Sequence, residues 1–315
     1  MNENALLSLL RETFRTADPS VLVGSGPDDC AHLAADGRRL AVSVDALVEK
    51  VHFTPDAAPG DVARKAVLSA LSDLAASGCR ARWVLAALGL RPGLPPGWTR
   101  EFASAFAQAA REEGTAAVGG DAVSSPGGVF VAVTAVGEPL PGGPVLRSGA
   151  RPGDALVVSG TLGGSLLGGH LSPRPRFREM RHLLEFSGVR FGDGRAVSAA
   201  LDISDGLALD LSRLCRESGV GAVVHESLVP VSAAAERAAE RSGRPALRHA
   251  LSDGEDFELL LAVDAGAFEE YARRPRPGLA ALTRIGEIVR DAGCVLVRRS
   301  GELEPLAAEG FEHTW

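Results

Sequence analysis

Residues 116–136 read AAVGGDAVSSPGGVFVAVTAV, an apolar approach to the turn signal Gly119-Gly120-Asp121 followed by the clearest buried strand of the chain, 129–136. Just before them, residues 98–113 have helical periodicity and stop at Gly114. This order of helix, short strand, glycine turn and buried strand sets the pattern. Strands alternate with long helices, but without the even spacing of a barrel or a simple doubly wound sheet. An α+β fold, a layer of sheet with helices on one face, fits better.

Moving toward the N-terminus, residues 91–96 form a proline-rich connection and 83–90 a strand. A helix covers 61–77 and ends at Gly78, and a strand over 39–44 ends at Asp45. Gly24-Ser25-Gly26-Pro27 marks a turn between a strand at 21–23 and the pair Asp28, Asp29, and residues 3–16 form an amphipathic helix. Moving toward the C-terminus, glycine, proline and charge cluster over 139–152, which divides the chain into domains 1–147 and 148–315. The second domain opens with a strand at 154–159 and a glycine-rich segment at 160–169. A basic, proline-rich stretch at 173–178 reads as an exposed loop. Residues 201–206 then lead into a helix carrying Leu207, Leu211 and Leu214. A strand at 222–225, a surface helix at 232–242 and a buried strand at 257–263 follow.

The 315 residues are 45% hydrophobic and 23% charged, enough apolar surface for folded domains. A formal charge of −7 without a basic run gives no support to nucleic-acid binding. No apolar stretch reaches the roughly 18 residues of a membrane span. Cys30, Cys79, Cys215 and Cys294 form no C-x-x-C pair and read as isolated small hydrophobes, which suits a reducing cytoplasm. The Walker pattern and H-x-x-x-H are both absent, so neither P-loop nor zinc-hydrolase chemistry is indicated.

The aspartates carry the functional signal. Asp28, Asp29, Asp45, Asp73, Asp121, Asp202 and Asp205 stand at or beside expected element boundaries next to apolar sequence. Each has a plain reading: an Asx-turn for Asp28 and Asp29, a helix cap for Asp45, a turn for Asp121, and a cap for one of Asp202 and Asp205. Asp73 is the exception, because it interrupts an apolar helical run where a carboxylate needs a partner. The alternative is a shared one. Carboxylates crowded in a cleft repel one another, and magnesium, which takes hard oxygen ligands and keeps places for phosphate, removes that repulsion. Such a site moves phosphoryl groups without a protein nucleophile.

Seven segments in order resemble the thiamine-monophosphate kinase family, within the superfamily of aminoimidazole ribonucleotide synthetase, selenophosphate synthetase and a hydrogenase-maturation enzyme. They are DDCAHL (28–33), VSVDALVEKVHF (42–53), LSDLAASG (71–78), GGD (119–121), LRSGARPGD (146–154), LDISDGLALDL (201–211) and GEDFELL (254–260). The resemblance implies a two-domain fold that pairs through its N-terminal sheets in a homodimer. It also implies direct transfer of the ATP γ-phosphoryl group to thiamine monophosphate, with several magnesium ions and with K⁺ activation open. By the same resemblance, Asp29, Ser43, Asp45, Asp73, Asp121, Asp202 and Asp205 are metal ligands, and Asp45, Asp121 and Asp205 stand closest to the chemistry. Gly120, Asp121, Arg147 and Ser204 contact ATP, while His52, Glu255 and Phe311 contact the acceptor.

Without the resemblance, His52, Glu255 and Phe311 read as a core-edge histidine, a surface carboxylate and a packing anchor. Pro27, Ala70 and Ala122 depart from the family pattern, as does the missing tyrosine before GGD, and these bear on how the nucleotide sits. Two other functions stay open at this point. One is a superfamily enzyme with a different phosphate or carboxylate acceptor. The other is a thiamine-phosphate or nucleotide-binding module without turnover.

Overall fold

The computed structural model describes residues 3–24, 26, 28–142, 144–190, 196–274 and 276–313. Ser25 and Pro27 of the expected turn, and Trp315, lie outside them. Helix α1 (Glu3–Thr13) precedes strands β1 (Val21–Val23), β2 (Ala31–Ala35) and β3 (Arg38–Val48). Helix α2 (Pro59–Ala76), β4 (Cys79–Leu90), α3 (Trp98–Glu112), β5 (Ala116–Ser124) and β6 (Phe130–Pro139) follow. The strands form one six-stranded sheet in the order β1-β2-β3-β6-β4-β5. Alternate residues Ala41 and Leu47 of β3, and Val131, Val133 and Ala135 of β6, pack against Val67, Leu71 and Leu74 of α2 and Phe102 and Phe106 of α3. This is the expected helix-covered face. Period-2 side chains of the sheet meet the apolar stripe of each helix.

Two expectations change here. Asp45 is not a helix cap: β3 runs through it to Val48, pairing Asp45 with Val133 of β6. Its side chain points to the α2 side, where polar partners await it, so a carboxylate is tolerated inside a strand. Gly119-Gly120-Asp121 is likewise no turn but the middle of β5, with Gly120 opposite Ala86 of the parallel strand β4. A Cβ on Gly120 would lie 2.0 Å from the Ala86 carbonyl oxygen, so close strand approach requires glycine there.

The second half forms a seven-stranded sheet, order β13-β12-β9-β11-β7-β10-β8. Its strands are β7 (Ala155–Ser159), β8 (Val197–Asp202), β9 (Gly221–His225), β10 (Leu259–Val263), β11 (Leu282–Val289), β12 (Gly293–Val297) and β13 (Leu303–Pro305). Its helices are α4 (Phe177–Arg190), α5 (Leu207–Ser218), α6 (Ala233–Ser242), α7 (Ala246–Ser252) and α8 (Ala265–Ala272). Helices cover both faces of this sheet. Leu156, Val158, Leu201 and Leu260 meet α5 and α7, whereas Val157, Val197, Leu259 and Leu261 meet Met180 and Leu183 of α4 and Phe268 and Tyr271 of α8. The one-face layer therefore holds only for the first domain. Every residue of β7 and β10 is buried, which is why those strands read as continuous apolar runs.

The 173–178 stretch is no free basic loop either: Pro173 and Pro175 are buried, and Arg176 clamps both oxygens of Glu258. Cys215 and Cys294, 79 residues apart, bring their free sulfurs to 3.8 Å. Helix α2 joins the two halves. Its end residue Ala76 packs in the core of the second sheet, and β8 lies against it.

Candidate active site

The polar residues of α2 lie on one stripe. Lys65, Ser69 and Asp73 recur every fourth residue, with Ser72 beside Asp73, and an α-helix places such positions on one face. Three segments converge on it. Strand β3 supplies Ser43 and Asp45, the β8–α5 junction supplies Asp202, Ser204 and Asp205, and the turn before β2 supplies Asp29.

Asp29, Asp73 and Asp202 each offer a carboxylate oxygen, and the three oxygens lie within 4.8 Å of one another. Ser43 donates its hydroxyl to Asp73. Burial pushes all three carboxyls above the ordinary aspartate value, Asp73 further through the charges of Asp202, Asp29 and Asp45, and Asp202 further through that of Asp29. Asp45, also raised by burial, accepts from the Ala46 amide at 2.8 Å and has Ser69 beside it.

Arg147 donates Nε and Nη2 to a single oxygen of Asp29; burial disfavours its charge, but Asp29 more than offsets this. The other oxygen of Asp29, Oδ2, is buried without a hydrogen-bond partner. Asp28 shapes the loop, accepting from the amides of Asp29 and Arg147 at 3.0 and 3.2 Å.

Asp205 is held by Arg213. Arg213 also donates to Asp210 at 2.7 Å, and Asp210 accepts the amides of Ser204 and Asp205 at 3.0 and 2.9 Å. Neither Asp210 nor Arg213 stands out in the sequence. An acid seven residues after Ile203, and a base three further on, look like ordinary helix charges until the loop folds back on them. Burial, then the charge of Asp205, raises the Asp210 carboxyl to about 7.

A cavity of about 340 Å³ opens beside the cluster, lined by Asp45, Asp73, Asp202 and Asp205. His52, Glu255, Phe311 and His313 line it as well; Lys65, which bonds the first two, stands eight residues, about 12 Å, along α2 from Asp73. Phe311 reaches it through its amide, which donates to the Asp205 carbonyl at 2.9 Å. The His313 ring lies edge-on to Phe311 at 4.9 Å and 5.5 Å from His52. Burial lowers the His52 pKa, and its Nδ1 accepts the Val48 amide at 3.0 Å, so the ring is held neutral. These three side chains and Glu255 thus face the cavity, which a core-edge histidine, surface carboxylate or packing anchor would not require.

Gly120 and Asp121 stand apart. Asp121 is exposed, and the residues opposite it across the sheet, Ala87, Ala132 and Ala46, belong to the face turned away from α2. Three strand spacings, about 14 Å, separate Gly120 from Asp45. Within the described residues of one chain, Asp121 therefore does not join the cluster.

The two mixed α/β domains are those of the AIR synthase related proteins. The N-terminal domain of that family matches residues 27–138 and the C-terminal domain matches residues 151–298. Within that class the chain belongs to the thiamine-monophosphate kinase family. It is 34% identical to the thiamine-monophosphate kinase of Rhodopirellula baltica over 99% of this chain and 97% of the relative. Against the thiamine-monophosphate kinase of Escherichia coli K12 it is 32% identical over 99% and 98%. The solved structure of AaThiL complexed with AMPPCP and TMP superposes with a TM-score of 0.83 at 27% identity, covering 99% of this chain and 97% of that one.

Proposed function

We propose that this protein transfers the γ-phosphoryl group of ATP to the phosphate of thiamine monophosphate, giving thiamine diphosphate and ADP. The observation that carries this is the lining of the cavity, which joins a carboxylate cluster to an imidazole and aromatic enclosure with one further carboxylate. The relatives' shared name and the TMP held by AaThiL agree with that reading.

The donor set fits magnesium. It consists of hard oxygens, three of them within 4.8 Å, and the buried unpaired Oδ2 of Asp29 is an acceptor that a cation would satisfy. Asp29, Ser43, Asp45, Asp73, Asp202 and Asp205 would hold the ions, which when bound neutralise the transferring group and align it with its acceptor. The chain's own part is positional. Arg147 and Arg213 hold carboxylates in place, and their guanidiniums would pair with phosphate oxygens brought to the cluster. Ser204 presents its backbone on a loop fixed by Asp210. His52, Phe311 and Glu255 enclose a flat cationic heterocycle, the carboxylate matching its charge.

We divide the chain at 147/148 and place the first domain at a homodimer contact. The face of its sheet opposite α2 exposes Val44, Val118 and Val123 to 65%, 54% and 59%, together with Val48, Leu85 and Phe130. So much apolar surface on one face favours a partner sheet. Asp121 shares this face, so pairing is what would bring it and Gly120 to a nucleotide. All four cysteines are free, in keeping with a cytoplasmic protein.

The test is purified protein with Mg-ATP and thiamine monophosphate across magnesium and K⁺ concentrations, with thiamine diphosphate and ADP measured together. ADP release only with another acceptor would transfer the reaction to that acceptor, and saturable binding without ADP would make the protein a binding module.

A further inference from the structure

Among the described residues, Lys65 is the most deeply buried charge that the reaction above leaves without a role. Its side chain has no exposure, and it stands on α2 eight residues before Asp73. Eight residues of helix span about 12 Å. The stripe that begins in the carboxylate cluster therefore ends under the far end of the cavity. A buried ammonium is costly unless its donors are satisfied. Two of the three on Lys65 go to the His52 carbonyl at 2.7 Å and Glu255 Oε1 at 2.5 Å. Both residues line the cavity.

The two partners come from different domains. His52 lies in the loop after β3, whereas Glu255 lies in the segment before β10. Glu255 has a left-handed backbone with φ of 54°, which a residue with a side chain adopts only where its surroundings impose it. Its amide donates to the Ser204 carbonyl at 2.6 Å. Its neighbour Gly254 has φ of 74°, with room for no Cβ because the Ser204 oxygen would lie 2.8 Å away. The backbone is thus tied to the metal-side loop, and the side chain is tied to Lys65. Burial lowers the Lys65 pKa, with Glu255 and then Asp45 opposing that shift.

We infer that Lys65 is a positioning residue for the acceptor: it fixes the Glu255 carboxylate and the His52 loop in the geometry that receives the cationic heterocycle. It does not touch the transferring phosphoryl group. The carboxylate, 20% exposed, stands between the wholly buried ammonium and the cavity, so an incoming cation meets the negative end of a pre-oriented pair. Glu255 need not be ordered when the acceptor binds, and that saving appears in acceptor affinity. The inference rests on the thiamine monophosphate reading of the cavity.

The experiment uses the full-length protein with Lys65→Met, Glu255→Gln and the double variant. Steady-state constants are measured for thiamine monophosphate and ATP separately, and calorimetry with thiamine, which lacks the phosphate, probes the heterocycle end alone. Lys65→Met is expected to raise KM for thiamine monophosphate and Kd for thiamine by about tenfold or more, leaving KM for ATP within about twofold. The double variant is expected to be no worse than the worse single one, since both substitutions break the same contact. Equal loss of ATP and acceptor affinity, or additive losses in the double variant, would overturn the assignment. Should Lys65→Met fail to fold because it strands a buried carboxylate, the double variant carries neither charge, and its ATP-to-acceptor KM ratio decides the question in the same way. Wild-type protein that makes no thiamine diphosphate would instead overturn the functional reading itself, so the two failures are told apart.

Discussion

Replacing Asp73 by Asn should make the metal-free protein more stable and the enzyme inactive. Asn keeps an oxygen to accept the Ser43 hydroxyl and nearly the same volume, so the change removes mainly charge. Oxygens of Asp29, Asp73 and Asp202 within 4.8 Å repel by about 3 kcal/mol per ionised pair at an effective dielectric constant near 20. Removing Asp73 deletes two such pairs. Proton uptake sets a ceiling on the gain: moving one carboxyl from its ordinary range to neutrality at pH 8 costs about 6 kcal/mol. Arg147 beside Asp29 lowers it further. A net gain of about 2 kcal/mol is expected, or roughly 4–8 °C in Tm for domains of this size. The assay is thermal unfolding of both proteins in a chelator and across a magnesium titration, beside turnover. Wild type should gain stability with magnesium as ligand linkage requires, and the variant should gain little. Turnover should fall by about a hundredfold or more. A variant that melts at or below wild type in chelator, or that responds to magnesium as wild type does, would refute the reasoning.

Burial, with Asp29 and Asp205 adding respectively, raises the carboxyls of Asp28 and Asp210 to about 7 from 3.8. The metal-free folded state therefore holds protons that the unfolded chain has released, so its stability is greatest below about pH 4 for these groups and falls as pH rises toward about 7. Calorimetry in chelator should show Tm declining over that window, Asp210→Asn flattening the decline; a rise would contradict it. Asp121→Asn, at an exposed edge-strand position, should leave Tm within about 1 °C while lowering turnover sharply. Near-wild-type activity at limiting magnesium would remove Asp121 from the metal site. Gly120→Ala forces a Cβ to within 2.0 Å of the Ala86 oxygen and should cost about 3 kcal/mol or more through separation of β4 and β5, read as a fall in Tm.

The legible parts of the sequence were those in which one residue's neighbours settle its environment. The apolar run around Asp73 announced a buried carboxylate, and α2, α3 and β10 announced themselves by periodicity or continuous apolarity. β3 and β5 read as shorter than they are, because a polar or glycine residue in a strand looks like an end. Only the pairing of Asp45 with Val133, and of Gly120 with Ala86, shows that the strands continue. Strand β11, LTRIGEIV, is broken by charge, and β12 and β13 span only five and three residues, so period alone does not reveal them. Lys65, Asp210 and Arg213 were invisible for a related reason: each looks like a surface helix charge until a chain segment far away in sequence, or a returning loop, covers it.

That last group also explains why α2 is polar along a stripe when its neighbours are so apolar. A helix buried against two sheets gains most from an unbroken apolar surface, and Lys65, Ser69, Ser72 and Asp73 forgo part of that gain. In return, a helix packed into both domains carries the side chains that meet the carboxylate cluster and the acceptor end at a fixed separation. Relative movement of the two domains would disturb Lys65–Glu255 and Asp73–Asp202 together, because one rigid helix bears one partner of each. The cleft is thereby tied to the packing of a single helix, and the stability it gives up is localised where the phosphoryl donor and acceptor must be brought into register.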